Sequence, residues 1–493
     1  MSKPCPATSV TDLCVDKTGE SVDERRRRHA WQMLLILGAS VSYFVMGMSL
    51  SWPNVLASDL LSENSTLFST HLQLDDWQMD MMGSILTIGS VPGFLVAGWM
   101  IGRLGRRWSL AVAVVPGLLG WAAIAFALDA TMLIIGRFLD GITCGMVTLA
   151  VITYATEIPD TTHRGSVGTI VCFMFLIGTG IGVSLGIFLT WYEVAFINVG
   201  LLLLYIIAIV PCLPESPTFL AVNDKDKAAH RILERLRGTY ADLDAEIKLL
   251  KQLNRVTDAT SKWGALLSLE NLKRISLLSC LFFIQNFSGT AVIRVNATRI
   301  LEASGVNLDK DISTTILLVV PICGVFVLTS LVDRIGRRLC LVVSMAPMVV
   351  AYAILGCYVF LSNYQVTIVS FASLYSNHSH ETGSIQKIES PENEWSWLPL
   401  GCLLVCIFAM NIGIESLPWH LSSELFPTTI RSQAMSVCTV VGSVFAAAAL
   451  QLYSPMQSFL TPAGLYWTYA GVSALGIVFI LLTIPETARQ AVG

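Results

Sequence analysis

Charge is what this chain has least of. Only 13% of its 493 residues are Asp, Glu, Lys or Arg, while 54% are hydrophobic and the mean hydropathy is +0.65. Such a composition lies outside the soluble globular range and places the chain in a membrane. Catalytic signatures are missing too: there is no HxxxH-type metal pair, no Gly-rich phosphate loop and no GxSxG elbow, and the seven histidines are scattered. Neither an enzyme nor a bound cofactor or metal is expected. The polar first 30 residues hold no apolar signal-peptide core and no cleavage site, so the first apolar run is expected to act as an uncleaved anchor. The 12 cysteines fall in apolar runs or in the N-terminal tail (Cys5, Cys14), which argues against a disulfide framework and leaves them as small packing residues.

Apolar sequence fills the chain instead. Runs of about 20 residues, the length needed to cross a hydrocarbon core of about 30 Å, begin near residues 31, 79, 108, 131, 168, 194, 276, 313, 340, 397, 434 and 463. Twelve spans and an all-α membrane protein are expected. With the N-terminus cytoplasmic, 26 of the 31 Lys and Arg lie on the cytoplasmic side, beginning with the run Arg25 to Arg28 before the first span. That basic run is what sets topology, so nucleic acid is not an expected partner. Both termini are then cytoplasmic, and the sequons at Asn64 and Asn377 fall in outer loops open to glycosylation.

The sequence repeats itself. "GRLGRR" (Gly102 to Arg107) returns as "DRIGRR" (Asp333 to Arg338), Glu157 with Arg164 returns as Glu424 with Arg431 at the same spacing of seven, and "PESP" at Pro214 returns as "PET" at Pro485. Three ordered matches indicate two six-helix bundles, 31–214 and 276–485, between cytoplasmic tails 1–30 and 486–493. The second bundle carries an insertion, the polar outer segment 362–396, which reads as irregular. A cytoplasmic linker, 215–275, shows helical periodicity with charged outer faces in "DKDKAAHRILERLRG" and "DLDAEIKLLKQL". Two parallel bundles about an axis normal to the membrane are an architecture of secondary transporters, with the substrate near the midplane between them.

The repeated charges sit at the cytoplasmic helix ends. Arginine binds carboxylates through a planar fork, so Arg103, Arg106, Arg107, Arg137, Arg164, Arg334, Arg337, Arg338 and Arg431 are expected to form a gate network with Glu157, Glu215, Glu424 and Glu486. The bland alternative is that the basic clusters only anchor topology. Within the membrane two spans carry polar residues beside helix-breaking ones. In the seventh these are Gln285, Asn286 and Ser288 with Gly289; in the tenth, Asn411, Glu415 and Trp419 with Gly413 and Pro418. Irregular backbone at membrane depth requires a cavity or protein around it, and Trp419 suits the apolar face of a sugar ring. A buried structural network would account for the amides equally. Arg294 costs about 2.5–3.5 kcal/mol at mid-membrane on insertion scales, so it needs a cavity or a partner, and Glu415 is the candidate partner.

These motifs, together with "GRFLDG", "QNFSG" and "LPWHLSSELFP" in this order, resemble the sugar-porter family of the major facilitator superfamily, most of all its facilitated trehalose transporter branch. The resemblance implies that Gln285, Asn286 and Trp419 contact sugar and that the Arg and Glu motifs govern the inward-closed state. It also exposes departures: Asn286 follows Gln285 where the family pairs two glutamines, Ala291 replaces an asparagine, Cys172 a glutamine, and Arg294 with Val295 the usual gate aromatics; the eleventh span has Gly442 and Ser443 for the usual "NW". Proton-coupled members carry an aspartate in the first span, and this first span has no acid. The expectation is a monomeric, multi-pass cell-membrane carrier of a sugar, working as a facilitative uniporter. A proton-coupled carrier or one for an anionic solute facing Arg294 stays open, as does a nutrient sensor.

Overall fold

The computed structural model describes residues 22–62, 66–68, 72–159, 164–238, 243–255, 267–303, 319–328, 331, 335–376, 397–426 and 431–484. Every regular element among them is helical. In chain order they are α1 (Val22–Ser62), α2 (Asp76–Leu104), α3 (Arg106–Ala113), α4 (Val115–Ala125), α5 (Ala130–Glu157), α6 (Arg164–Phe188), α7 (Trp191–Leu204), the linker helices α8 (Pro217–Val222), α9 (Asp226–Arg237) and α10 (Leu243–Arg255), α11 (Leu269–Phe287), α12 (Thr290–Ala303), α13 (Val319–Leu328), α14 (Arg337–Ser376), α15 (Leu398–Ile412), α16 (Leu417–Glu424), α17 (Arg431–Gln451) and α18 (Tyr453–Thr483).

Eleven stretches of helix are long and apolar enough to cross a membrane, and α13 adds a shorter apolar helix where the eighth span is expected. Two separate apolar cores organise them. One draws on residues 35–236 and the other on residues 278–484, so each half of the chain buries its own interior. A small third core, built on Leu220, Leu233, Leu243 and Ile247, lies under α8, α9 and α10. They are bolted to the first half: Gln32 Nε2 donates to the Leu236 carbonyl at 2.6 Å and Arg237 Nη1 to the Ile158 carbonyl at 2.9 Å.

Lipid offers apolar helices no hydrophobic reason to associate, so close backbone packing over small residues has to supply it. Glycine does this here. On α2 and α5, Gly89 and Gly93 face Gly141 and Gly145; a Cβ on any of the four would lie 2.2–2.3 Å from a backbone oxygen of the facing helix. On α6, Gly178 presses on Phe44 of α1 in the same way. Between the halves α2 packs along α17 and α1 against α12, with Ser84 Oγ donating to Gln451 Oε1 at 2.7 Å and Ser90 Oγ to Ser443 Oγ at 3.4 Å.

One boundary departs from expectation. The insertion 362–396 is not irregular from its start, because α14 runs on to Ser376. Residues 363–376 contain neither Gly nor Pro, so nothing in the backbone stops the helix there. Asn64 and Asn377 lie outside the described residues.

Gly145→Ala is expected to destabilise the protein by about 1–3 kcal/mol, the usual cost of overpacking. Gly98→Ala, with nothing within 4 Å of its added Cβ, is expected to leave stability unchanged. Thermal unfolding of the detergent-solubilised variants compares them, and equal losses would contradict the ladder.

Candidate functional site

The seventh span breaks where its sequence permits. Helix α11 ends at Phe287, and Gly289 adopts φ +87°, a left-handed conformation in which an added Cβ would also strike Tyr352 Oη and the Tyr469 ring. The carbonyl of Gln285 that the break frees accepts from Ser288 Oγ at 2.9 Å and from Thr290 Oγ1. The tenth span breaks opposite. After α15, the turn 413–416 leads into α16, and Ser344 of α14 sutures the gap by donating to the Ala409 carbonyl at 2.7 Å and accepting from Ile414 N at 3.0 Å. Gly413 is required because a Cβ there would lie 2.7 Å from the Cys340 carbonyl oxygen.

The two breaks meet. Gln285 Nε2 donates to the Glu415 carbonyl at 2.9 Å, and the Arg294 guanidinium forms an ion pair with the Glu415 carboxylate. Their side chains remain 26% and 17% exposed, so the pair borders open space rather than dry core. Two buried acceptors are left without a protein partner among the described residues: Gln285 Oε1 and Glu415 Oε2. Trp419 stands edge-on to Phe282 at 4.9 Å between ring centroids and keeps 39% exposure. From the first half, Asn54 Nδ2 reaches the Arg294 carbonyl at 3.2 Å. The arrangement is a polar, electrically neutral corner with two unpaired acceptors buried beside a partly exposed ion pair.

Other polar residues expected to line the site turn elsewhere. Asn286 is buried and donates to the carbonyls of Phe282 (2.8 Å) and Gly442 (3.5 Å); Asn411 donates to Ile407 at 2.8 Å; Ser288 is consumed by its helix end. All three serve the backbone.

At the arginine-rich end the first-half motifs converge. Arg106 Nη2 pairs with Glu157 Oε1 at 2.6 Å, and Ser216 Oγ donates to the other Glu157 oxygen. Glu215 Oε1 accepts the backbone N–H groups of Arg106 (2.7 Å) and Arg107 (3.3 Å), capping the start of α3 where the helix dipole favours an anion. Arg107 bonds the carbonyls of Val210 and Pro211 at 3.2 and 3.1 Å, Arg103 lies over the Trp99 ring, and in the second half Arg338 reaches the Leu481 carbonyl. These contacts each stay within one half. Arg337 lies at the start of α14. The side chains of Arg164, Glu424 and Arg431, and residues Arg334 and Glu486 altogether, lie outside the described residues.

Arg137 does not belong to that network. It sits in α5 twenty residues before Glu157, about 30 Å away along the helix at 1.5 Å per residue. There it is wholly buried, bonded to the carbonyls of Met82 (3.0 Å) and Ser49 (2.9 Å), paired with Asp140 at 3.1 Å, and stacked over Trp52. Ser49 Oγ closes the circuit by donating to Asp140. The signal for it was the i, i+3 spacing of Arg and Asp inside one span.

The model of the family described as "Sugar (and other) transporter" matches residues 41–492. The chain belongs to that family. It is accordingly a membrane transporter and not an enzyme. It is 26% identical over 463 residues to the facilitated trehalose transporter Tret1 of Culex quinquefasciatus, covering 93% of this chain and 84% of that one. To the Tret1 of Apis mellifera ligustica it is 25% identical over 467 residues, 94% of this chain and 87% of that one. Several other relatives are about twice as long as the part this chain spans. Among solved structures it is similar to the partially occluded inward-open xylose transporter XylE of E. coli, with a TM-score of 0.72 at 17% identity over 94% of this chain and all of that one. The twelve-span major facilitator fold follows from that likeness.

The Arg294–Glu415 pair is tested by a double-mutant cycle. Arg294→Gln and Glu415→Gln singly are each expected to lower thermal stability, with a favourable coupling of about 0.5–3 kcal/mol between the partly exposed partners. Additive losses would mean that the pair contributes nothing beyond its separate side chains.

Proposed function

We propose that the protein moves a neutral sugar, trehalose or a hexose, across the cell membrane by facilitated, alternating access. The observation that carries this is the cancelled charge of Arg294. An arginine awaiting an anionic solute would keep its fork free, whereas this one is occupied by Glu415, and the acceptors left over, Gln285 Oε1 and Glu415 Oε2, call for hydroxyl donors. Trp419 supplies a partly open aromatic face beside them. The names of the Tret1 relatives point the same way.

Uniport is favoured over proton coupling because the first span carries no acid and the intramembrane carboxylates Asp140 and Glu415 each have an arginine partner. In this reading the bundles 31–214 and 276–485 rock about the central corner as one chain. The arginine-rich end and both termini face the cytoplasm, and the Arg and Glu motifs join the halves when that end closes. Contacts such as Ser84 with Gln451, at the opposite end, support an inward-facing state here.

Purified protein in liposomes is expected to take up labelled trehalose or glucose to equilibrium, at a rate that an imposed proton gradient leaves unchanged. Glu415→Gln should reduce that uptake. Absence of sugar uptake, with anion uptake that Arg294→Gln abolishes, would reverse the assignment.

A further inference from the structure

The ends of the halves opposite the arginine motifs are joined by a second set of charges that belongs to no repeat. Asp76 and Asp80 stand one turn apart on the first turns of α2, on one face of the helix. Arg299 of α12 reaches across from the other half and pairs with both, Nη2 to Asp76 Oδ1 at 2.9 Å and Nη1 to Asp80 Oδ1 at 3.0 Å. Its guanidinium lies over the Tyr453 ring, 5.7 Å from the centroid, and also contacts Asn296 Oδ1 at 3.3 Å. The remaining Asp80 oxygen accepts the Ser454 N–H at 2.8 Å, from the first turn of α18. One aspartate of the first half is therefore gripped by two separate helices of the second.

Burial decides how much this grip matters. The Asp80 side chain is fully buried and that of Arg299 is 19% exposed, whereas Asp76 is 82% exposed. Exposed pairs are nearly neutral in energy, but a buried carboxylate separated from its cation is costly until water reaches it. Next to the clasp Ser84 is sealed against Gln451, and a Cβ on Gly83 would strike Val295 of α12 at 2.8 Å. Asp80 has no solvent contact while α2 and α12 stay together, although Asp76 and Arg299 line an open pocket with Tyr453 and Ser454.

We propose that Arg299, Asp76 and Asp80 form an outer clasp that holds the carrier closed on the non-cytoplasmic side, and that breaking it is the step that admits solute from outside. The clasp sits five residues beyond Arg294 on α12, which begins just after the left-handed Gly289 and is kinked at Asn296 (φ −114°, ψ 21°) between the two arginines. Gly289 and the Asn296 kink give α12 two points at which it can swing the clasp open, the first of them carrying the central ion pair along. Opening outward thus exchanges three charge-assisted contacts between halves for water. The inference rests on the alternating-access reading but not on the identity of the sugar, and its test measures accessibility rather than uptake.

Ser84→Cys, at a position buried beneath the clasp, reports opening through its labelling by a membrane-impermeant thiol reagent added from outside to sealed cells; the chain without that cysteine is the blank. Adding Arg299→Gln is expected to raise the labelling rate roughly tenfold by shifting population toward the outward-open state. Arg299→Lys, which keeps the charge but loses the fork, should fall between the two. Asp76→Asn, at an exposed side chain with little folding load, should give a smaller but measurable rise and carries the test if the Arg299 variants fail to reach the surface. Unchanged labelling in Asp76→Asn together with any surface-expressed Arg299 variant would overturn the proposal.

Discussion

Hydrocarbon offers no hydrogen-bond partner and no counter-ion, and that constraint orders the charged groups described within the spans of this protein. A lone charge at mid-membrane costs about 2.5–3.5 kcal/mol on insertion scales, a large share of the roughly 5–15 kcal/mol by which a folded domain is usually stable. The chain meets the cost by pairing. Arg137 goes with Asp140, Arg294 with Glu415, and Arg299 with Asp80. Broken backbone follows the same rule: Ser288, Thr290 and Ser344 take up groups freed where the seventh and tenth spans come apart.

The pairs divide the work of a carrier by where they sit. Arg137 ties α5 to α1 and α2 through carbonyls of Ser49 and Met82, so it makes the first half rigid. Arg294 and Glu415 lie within the second half at the junction of two broken helices, where their side chains stay partly exposed. Of these three pairs, that of Arg299 is the one that spans the halves. A rigid half, a neutral central corner and a breakable join are what movement around a fixed site requires. The glycine ladder between α2 and α5 complements this by bringing the backbones of one half too close to part.

Much of this was legible in the sequence. Span lengths, the ordered repeat and the linker helices follow from periodicity and composition, and Arg294 pairs with Glu415 because a buried charge in a sparse inventory leaves few partners. What depends on three-dimensional packing was not legible. Asn286 and Asn411 are expected at the ligand from their residue type, and here their amides donate to the i−4 carbonyls of their own helices. Arg137 was assigned to the cytoplasmic network by its charge, although its depth in α5 places it at the other end. The join between Arg299 and Asp76 runs across more than two hundred residues of chain, and no local spacing encodes a contact between separate helices.

The central claim is that a neutral solute passes a neutral site with no ion beside it. Steady-state accumulation of labelled sugar in liposomes clamped at a potential of about 100 mV tests it directly. One net charge moved per cycle is worth about 2.3 kcal/mol at that potential, enough for roughly 50-fold accumulation. The account predicts equal sugar concentrations on the two sides at either polarity. Accumulation that follows the sign of the potential would contradict it.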